Sequence, residues 1–320
     1  MIAKKILSAL LALSLCFSLT ACGGRGEAAA TEIQSNGGPS VVATLFPAYD
    51  FARELCGGRC EITLLVPPGA ETHSYEPTPQ DLVRIEDCDL LICNGGESEA
   101  WLEKLLDGAE GGFAVLSMLE CVDALEEEHK EGMQRTGEEE NGDEIEYDEH
   151  VWTSPRNAAA ICRAICESLC AVDPAGETTY RDNCERYCAE LDRLDGAFRS
   201  IVSGAKGHCL IFADRFPVRY FVEEYGLDYF AAFPGCADDA EPSARTVAFL
   251  IDRVREEQTP AVLYIEYSNQ KMADVICEDT GCRKLLFHSC HTVSAADLKA
   301  GASYLKLMWA NTESVKEALG

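Results

Sequence analysis

Residues 180–201 read YRDNCERYCAELDRLDGAFRSI, and Tyr180, Cys184, Tyr187, Leu191, Leu194, Phe198 and Ile201 recur at intervals of 4, 3, 4, 3, 4 and 3. That is one unbroken apolar stripe on a helix. A helix of about 25 residues at about 1.5 Å per residue spans roughly 37 Å. A coiled-coil arm would need a second heptad segment to pair with, and none follows, so the stripe reads as a strut between two domains.

On both sides of this strut, strands and helices alternate. Before it come an apolar run Val41–Phe46 stopped by Pro47, a helix Tyr49–Leu55 ended by Gly57 and Gly58, and a strand Ile62–Val66. A helix opened by Thr78 and Pro79, a strand Leu90–Cys93, a helix over 98–106 and a helix from Ser154 through Leu169 complete this half. After Gly204 four βα units follow: strands Cys209–Phe212, Tyr229–Phe233, Ala261–Ile265 and Lys284–Phe287, with helices Val218–Tyr225, Ala244–Glu257, Gln270–Asp279 and Ala295–Leu319. Continuous apolar strands need cover on both faces, which crossover helices supply. The expected fold is α/β: two Rossmann-like lobes with parallel sheets, at 40–174 and 205–320, joined by one long rigid helix at 175–204.

Lys4 and Lys5 precede an apolar run Ile6–Leu19 that suits an export signal and is short for a membrane span. The signal, 1–21, ends in Leu19-Thr20-Ala21-Cys22, which resembles the lipobox of bacterial lipoproteins and implies acylation at Cys22, with anchoring to the bacterial cell membrane. Residues 22–39 then read as a flexible tether. The stretch 126–149 holds twelve acidic residues, too many to bury a core of its own, and is expected to be a mobile loop. The formal net charge of −28 repels phosphate backbones, so nucleic acid is excluded as a partner. The chain is expected to be a monomer.

The 17 cysteines do not resolve into a full disulfide framework, because setting Cys22 aside for lipid leaves an odd number in the mature chain. Cys162, Cys166 and Cys170, like Cys184 and Cys188, repeat every four residues and read as small buried hydrophobes. Cys56 and Cys60 flank a glycine turn and are the most plausible local disulfide, while so many thiols in an exported chain equally suggest a reducing habitat.

Of six histidines, four lie where strands or loops hand over to helices: His73, His150, His288 and His291. Such loops bind ligands in open α/β sheets. Neutral imidazoles suit Zn(II) and other late divalent metals. The two halves could each contribute nitrogens, and neither can complete a site alone. His129, in the acidic loop, and His208, opening a strand, are left out of it.

The segments GAETHSYEPTPQDL (69–82), DLLICNG (89–95), His150-Val151-Trp152 and Ser154-Pro155-Arg156-Asn157-Ala158 resemble the zinc and manganese substrate-binding lipoproteins of ATP-binding-cassette importers, over about 40–320. The resemblance implies two α/β lobes joined by a rigid helix, with metal between them, as the element order also suggests. It implies His73 and His150 as ligands. A third family ligand, His or Glu, falls at Ala213 here, and the fourth falls in His288-Ser289-Cys290-His291, so both imidazoles are candidates to replace what is missing. Asp214 and Glu266 are reserve carboxylates and Cys290 a further thiolate. Imidazole-rich ligation favours zinc, and manganese is the second choice. The implied partners are an importer permease and its ATPase. The rival from another class is an anchored zinc hydrolase with Glu76 as base, for which no His-Glu-x-x-His pair is present.

Overall fold

The computed structural model describes residues 31–33, 37–70, 75–106, 112–134, 146–235 and 241–320. The export signal, Cys22 and most of the expected tether lie outside the described residues, as do His73 and positions 135–145 of the acidic stretch.

The first lobe is a sheet of order β1-β3-β2-β4-β5, with β1 Thr31–Ile33, β2 Ser40–Ala43, β3 Glu61–Leu64, β4 Leu90–Cys93 and β5 Ala114–Ser117. From β3 to β5 every pairing is parallel. β4 is buried at every position, as a strand covered on both faces must be. Two strands depart from expectation. β5 had no counterpart in the sequence reading, because its exposed Val115 and part-buried ends mask an edge strand. β1 lies inside the expected tether, yet pairs antiparallel with β3, Thr31 opposite Leu64 and Ile33 opposite Ile62. It covers an edge that would otherwise present unpaired backbone groups.

The second lobe is a parallel sheet of order β7-β6-β8-β9, with β6 Cys209–Phe216, β7 Asp228–Pro234, β8 Ala261–Tyr264 and β9 Arg283–Leu286. Among the parallel strands of each sheet the chain reverses its direction of travel once, so that the switch point lies between β2 and β4 and between β6 and β8. Ligands of open α/β sheets bind beyond the carboxyl ends of the strands at such points.

The first lobe's helices are α1 Phe46–Cys56, α2 Pro79–Glu86, α3 Ala100–Leu106 and α4 Pro155–Val172. The Thr78 hydroxyl and Asp81 carboxylate cap α2 reciprocally, and Ser154, followed by Pro155, caps α4. The strut is α5, Glu177–Gly204, 28 residues or about 42 Å. Its stripe from Tyr180 to Phe198 is buried, and Val202 rather than Ile201 completes it. α5 links the two lobes, packing on α1 and α4 of the first.

The second lobe's helices are α6 Arg219–Tyr225, α7 Ala244–Glu257, α8 Lys271–Thr280, α9 Ala295–Lys299 and α10 Tyr304–Leu319. The single closing helix expected over 295–319 is thus two. Gly301, at φ 83°, turns the chain out of α9, and Ser303 accepts the Lys306 N–H to start α10. The break lets α10 dock on α1 and α5. The Phe51 ring lies 4.9 Å from that of Tyr304 and 6.1 Å from that of Tyr187, and the Tyr304 N–H donates to the Asp50 carboxylate at 2.8 Å. One hydrophobic core therefore runs through both lobes.

The flanks of the acidic stretch are attached rather than loose. Glu126 bridges to Tyr147, Lys130 pairs with Asp228, and the Gln134 N–H donates to the Ala232 carbonyl at 2.8 Å. Cys56 and Cys60 form a disulfide. Cys162, Cys166, Cys184 and Cys188 are free thiols buried on α4 and α5. Among the described residues no helix is long and apolar enough to cross a membrane.

Candidate metal centre between the lobes

His150 follows Asp148 and Glu149 into a single 3-10 turn, Val151–Thr153, ahead of α4. The Asp148 carboxylate accepts the His150 backbone N–H at 2.8 Å, a turn that aspartate makes locally. The same oxygen lies 3.2 Å from His150 Nδ1. Asp148 thereby orients the ring through Nδ1. His150 is 1% exposed. Burial opposes its charged form, but the Asp148 carboxylate, with Glu149 and Glu127 behind it, outweighs burial and raises its pKa.

Glu149 is buried as well and accepts the Ser98 N–H at 2.9 Å. Its own carbonyl accepts from Asn94 Nδ2 at 2.9 Å. Asn94 follows β4 directly, so the strand's carboxyl end holds the residue preceding His150. Gly96 sits at φ 92°, and a Cβ there would meet Glu149 Oε1 at 2.4 Å. The loop tolerates no side chain at that point.

From the second lobe, the loop after β9 brings His291 against this ring. The two imidazole centroids are 5.1 Å apart and perpendicular, at 89°. Trp152 stands beside both, 5.6 Å from His150 and 5.2 Å from His291, and its Nε1–H donates to the Ser289 carbonyl at 2.8 Å. A second tie between the lobes runs from the Gly69 N–H to Thr292 Oγ1 at 3.0 Å. It fastens the loop after β3, which leads to position 73, onto the loop that carries His291.

His288 is placed differently. Its Nδ1 accepts the Cys290 N–H at 3.0 Å, and Asn311 of α10 holds its backbone N–H and carbonyl at 2.8 and 2.9 Å. Only Nε2 is left to offer an ion. The turn is made by Cys290, a non-glycine residue at φ 62°. Cys290 is fully buried, and burial pushes its thiol far above the ordinary range.

The reserve carboxylates hold backbone. Glu266 accepts the Ser289 N–H at 2.8 Å and the Ser289 hydroxyl at 2.5 Å. Asp214 accepts the N–H groups of Arg215 and Ile265 at 2.9 and 3.2 Å. Ala213, at the position where the third ligand was sought, is buried and offers no donor. Among the described residues no group of three His, Cys, Asp or Glu is arranged to hold a metal ion. The structure thus brings together His150 and His291 and ties the approach to the His73 segment beside them. Asp148, Glu149, Asn94 and Trp152 support these ligand candidates and were not singled out in the sequence. The one local signal was the aspartate two residues before His150.

Over residues 41–318 the chain matches the family described as zinc-uptake complex component A, periplasmic. It is 30% identical over 318 residues to the zinc-binding lipoprotein AdcA of Streptococcus pneumoniae, covering 98% of this chain and 61% of that protein. The chain thus spans about three fifths of that relative's length. It is 28% identical over 316 residues to the high-affinity zinc uptake system protein ZnuA of Bacillus subtilis, with 98% of this chain and 97% of that protein covered. Among solved structures, the Zn(II)-bound ZnuA-like domain of Streptococcus pneumoniae AdcA superposes with a TM-score of 0.73 at 27% identity, over 88% of this chain and 99% of that one. The metal-dependent lipoprotein YcdH of Bacillus subtilis gives 0.74 at 25% identity, over 88% and 100%. With two parallel-sheet lobes, a long joining helix and a family match that runs from the second strand to the last helix, the chain belongs to the zinc-uptake complex component A family.

Proposed function

We propose that this chain captures Zn(II) outside the cytoplasm and delivers it to the permease of an ATP-binding-cassette importer, whose ATPase drives transport. The observation that carries the reading is the meeting of His150 and His291 from opposite lobes, with ring centroids 5.1 Å apart. In this reading His73, His150 and His291 are ligands, and His288 joins them only through Nε2. Neutral nitrogens at about 2.0–2.1 Å in a tetrahedral set are a zinc environment, whereas manganese prefers more oxygen.

The protein is a transport component and not an enzyme. Glu76, the base in the hydrolase reading, is solvent-exposed. Acylation of Cys22 would hold the chain at the outer face of the membrane, with the acidic stretch gathering cations near the cleft by its field. Release would follow when the two lobes, or the loops that bear the histidines, draw apart. The test is zinc accumulation in cells that lack the chain. Complementation by the wild type, but not by a His150→Ala, His291→Ala double variant of equal abundance, is expected. Normal accumulation in the deleted cells at limiting zinc would overturn the transport role, and full complementation by the double variant would overturn the site.

A further inference from the structure

The two lobes place a pair of cysteines at matching points. In the first, Cys56 is the last residue of α1 and Cys60 directly precedes β3, and the two are joined. In the second, Cys277 lies in the last turn of α8 and Cys282 directly precedes β9. Here the two sulfurs are free thiols 3.6 Å apart. Each helix ends on a left-handed glycine, Gly57 at φ 57° and Gly281 at φ 77°. Each glycine N–H returns to the carbonyl four residues back, that of Arg53 or of Cys277. This helix stop folds the chain back so that the last turn faces the entry to the strand.

We propose that Cys277 and Cys282 form a second, reversible disulfide in the oxidised protein, closed by exchange with a small organic disulfide. The sulfurs must approach from 3.6 Å to about 2.05 Å, a side-chain movement rather than a backbone one. Their spacing in the chain, five residues, is close to the four of the bond already formed. Cys184 and Cys188 differ from this pair: their sulfurs are 3.9 Å apart but lie inside the unbroken α5, with no turn to bring them closer.

The order of attack follows from access. Cys282 borders an open surface cavity of 290 Å³, together with Thr280, Gly281 and Pro260. Both thiols are partly buried against the second lobe's core, but Cys277 does not line that cavity, and burial, with the Cys282 contact second, pushes the Cys277 thiol up to about 12. The Cys282 thiolate attacks one sulfur of RS–SR, forms a mixed disulfide and releases RS⁻. Cys277, as thiolate, then attacks Cys282 Sγ, forms the intrachain bond and releases the second RS⁻. Both thiol protons end on two molecules of RSH, so the protein loses two electrons and the organic disulfide gains them. The closed bond would fasten α8 to β9, whose far end leads to His288 and His291. It depends on no part of the metal-binding reading.

One tryptic peptide, Met272–Arg283, contains both cysteines. The reduced full-length protein is treated with oxidised glutathione, alkylated without reductant, digested and weighed. That peptide is expected unalkylated and about 2 Da below its reduced mass, and dithiothreitol should restore double alkylation. Cys277→Ser protein should stop with glutathione on Cys282. The proposal is overturned if the peptide stays doubly alkylated while Cys56–Cys60 reoxidises, or if Cys282 is found joined to any other cysteine. It is equally overturned if Cys282 remains a free thiol in the Cys277→Ser protein.

Discussion

The Trp152 indole Nε1–H donates to the main-chain carbonyl of Ser289 across 2.8 Å, joining a first-lobe turn to a second-lobe loop 137 residues away. Trp152 is fully buried. Its ring also stands against both imidazoles that meet in the cleft. One side chain therefore sets the distance between the lobes at the point where the candidate ligands converge.

Trp152→Phe keeps an aromatic ring but loses the donor and part of the volume. A loss of about 1–3 kcal/mol in stability is expected from the unpaired Ser289 carbonyl and the incomplete filling. Zinc affinity should fall with it, because His150 and His291 both lose a wall. Urea unfolding and calorimetric titration measure the two effects, and a variant as stable as the wild type would contradict the role given to the indole.

His288 and His291 should respond unequally. His291→Ala removes the imidazole that meets His150, and its loss should exceed the 10–100-fold in affinity typical of an outer-shell change. His288→Ala should stay within that range, since His288 Nδ1 is already held by the Cys290 N–H. Equal losses in competition titrations against a zinc chelator would place His288 in the ligand set on the same footing as His291.

Asp148→Asn keeps an oxygen for the His150 backbone N–H but removes the carboxylate that orients the ring and makes it more basic. Zinc affinity is expected to drop about 10–100-fold with little change in melting temperature. Unaltered affinity would mean that packing alone orients His150.

Asp50 gives a pH signature unrelated to metal. Burial raises its pKa to about 6, with Arg53 at 2.5 Å opposing the shift. The folded state then binds this proton more tightly than the unfolded chain, whose Asp titrates near about 3.9. Its contribution to stability is complete below that value and is lost as pH rises through about 6, a difference of roughly 3 kcal/mol. Asp50→Asn keeps an acceptor for the Tyr304 N–H and removes the titration. The stability difference between variant and wild type should therefore move in the variant's favour between about pH 4 and 6 and stay level above. A difference independent of pH in acid urea titrations would refute the assignment.

Local pattern carried much of the fold. The stripe from Tyr180 to Phe198, the run Leu90–Cys93 and the Ser154-Pro155 helix start each act through near neighbours, and each lies where the sequence placed it. β1 and β5 escaped because three or four residues at a sheet edge need no continuous apolar run. In the site, His150 and His291 were legible as residue types in loops, but Trp152 was not, since its partner lies in the other lobe. The difference between His288 and His291 turns on the left-handed backbone of Cys290, a conformation that no cysteine announces in a sequence.

The convergence of His150 and His291 on one ion is tested most directly by anomalous diffraction above and below the zinc absorption edge, on crystals of the zinc-equilibrated chain. A single edge-dependent peak in the cleft is expected, about 2.0–2.1 Å from a nitrogen of His150 and of His291, with His73 as a further ligand. Zinc bound elsewhere, with the two rings turned apart and no metal between them, would contradict it.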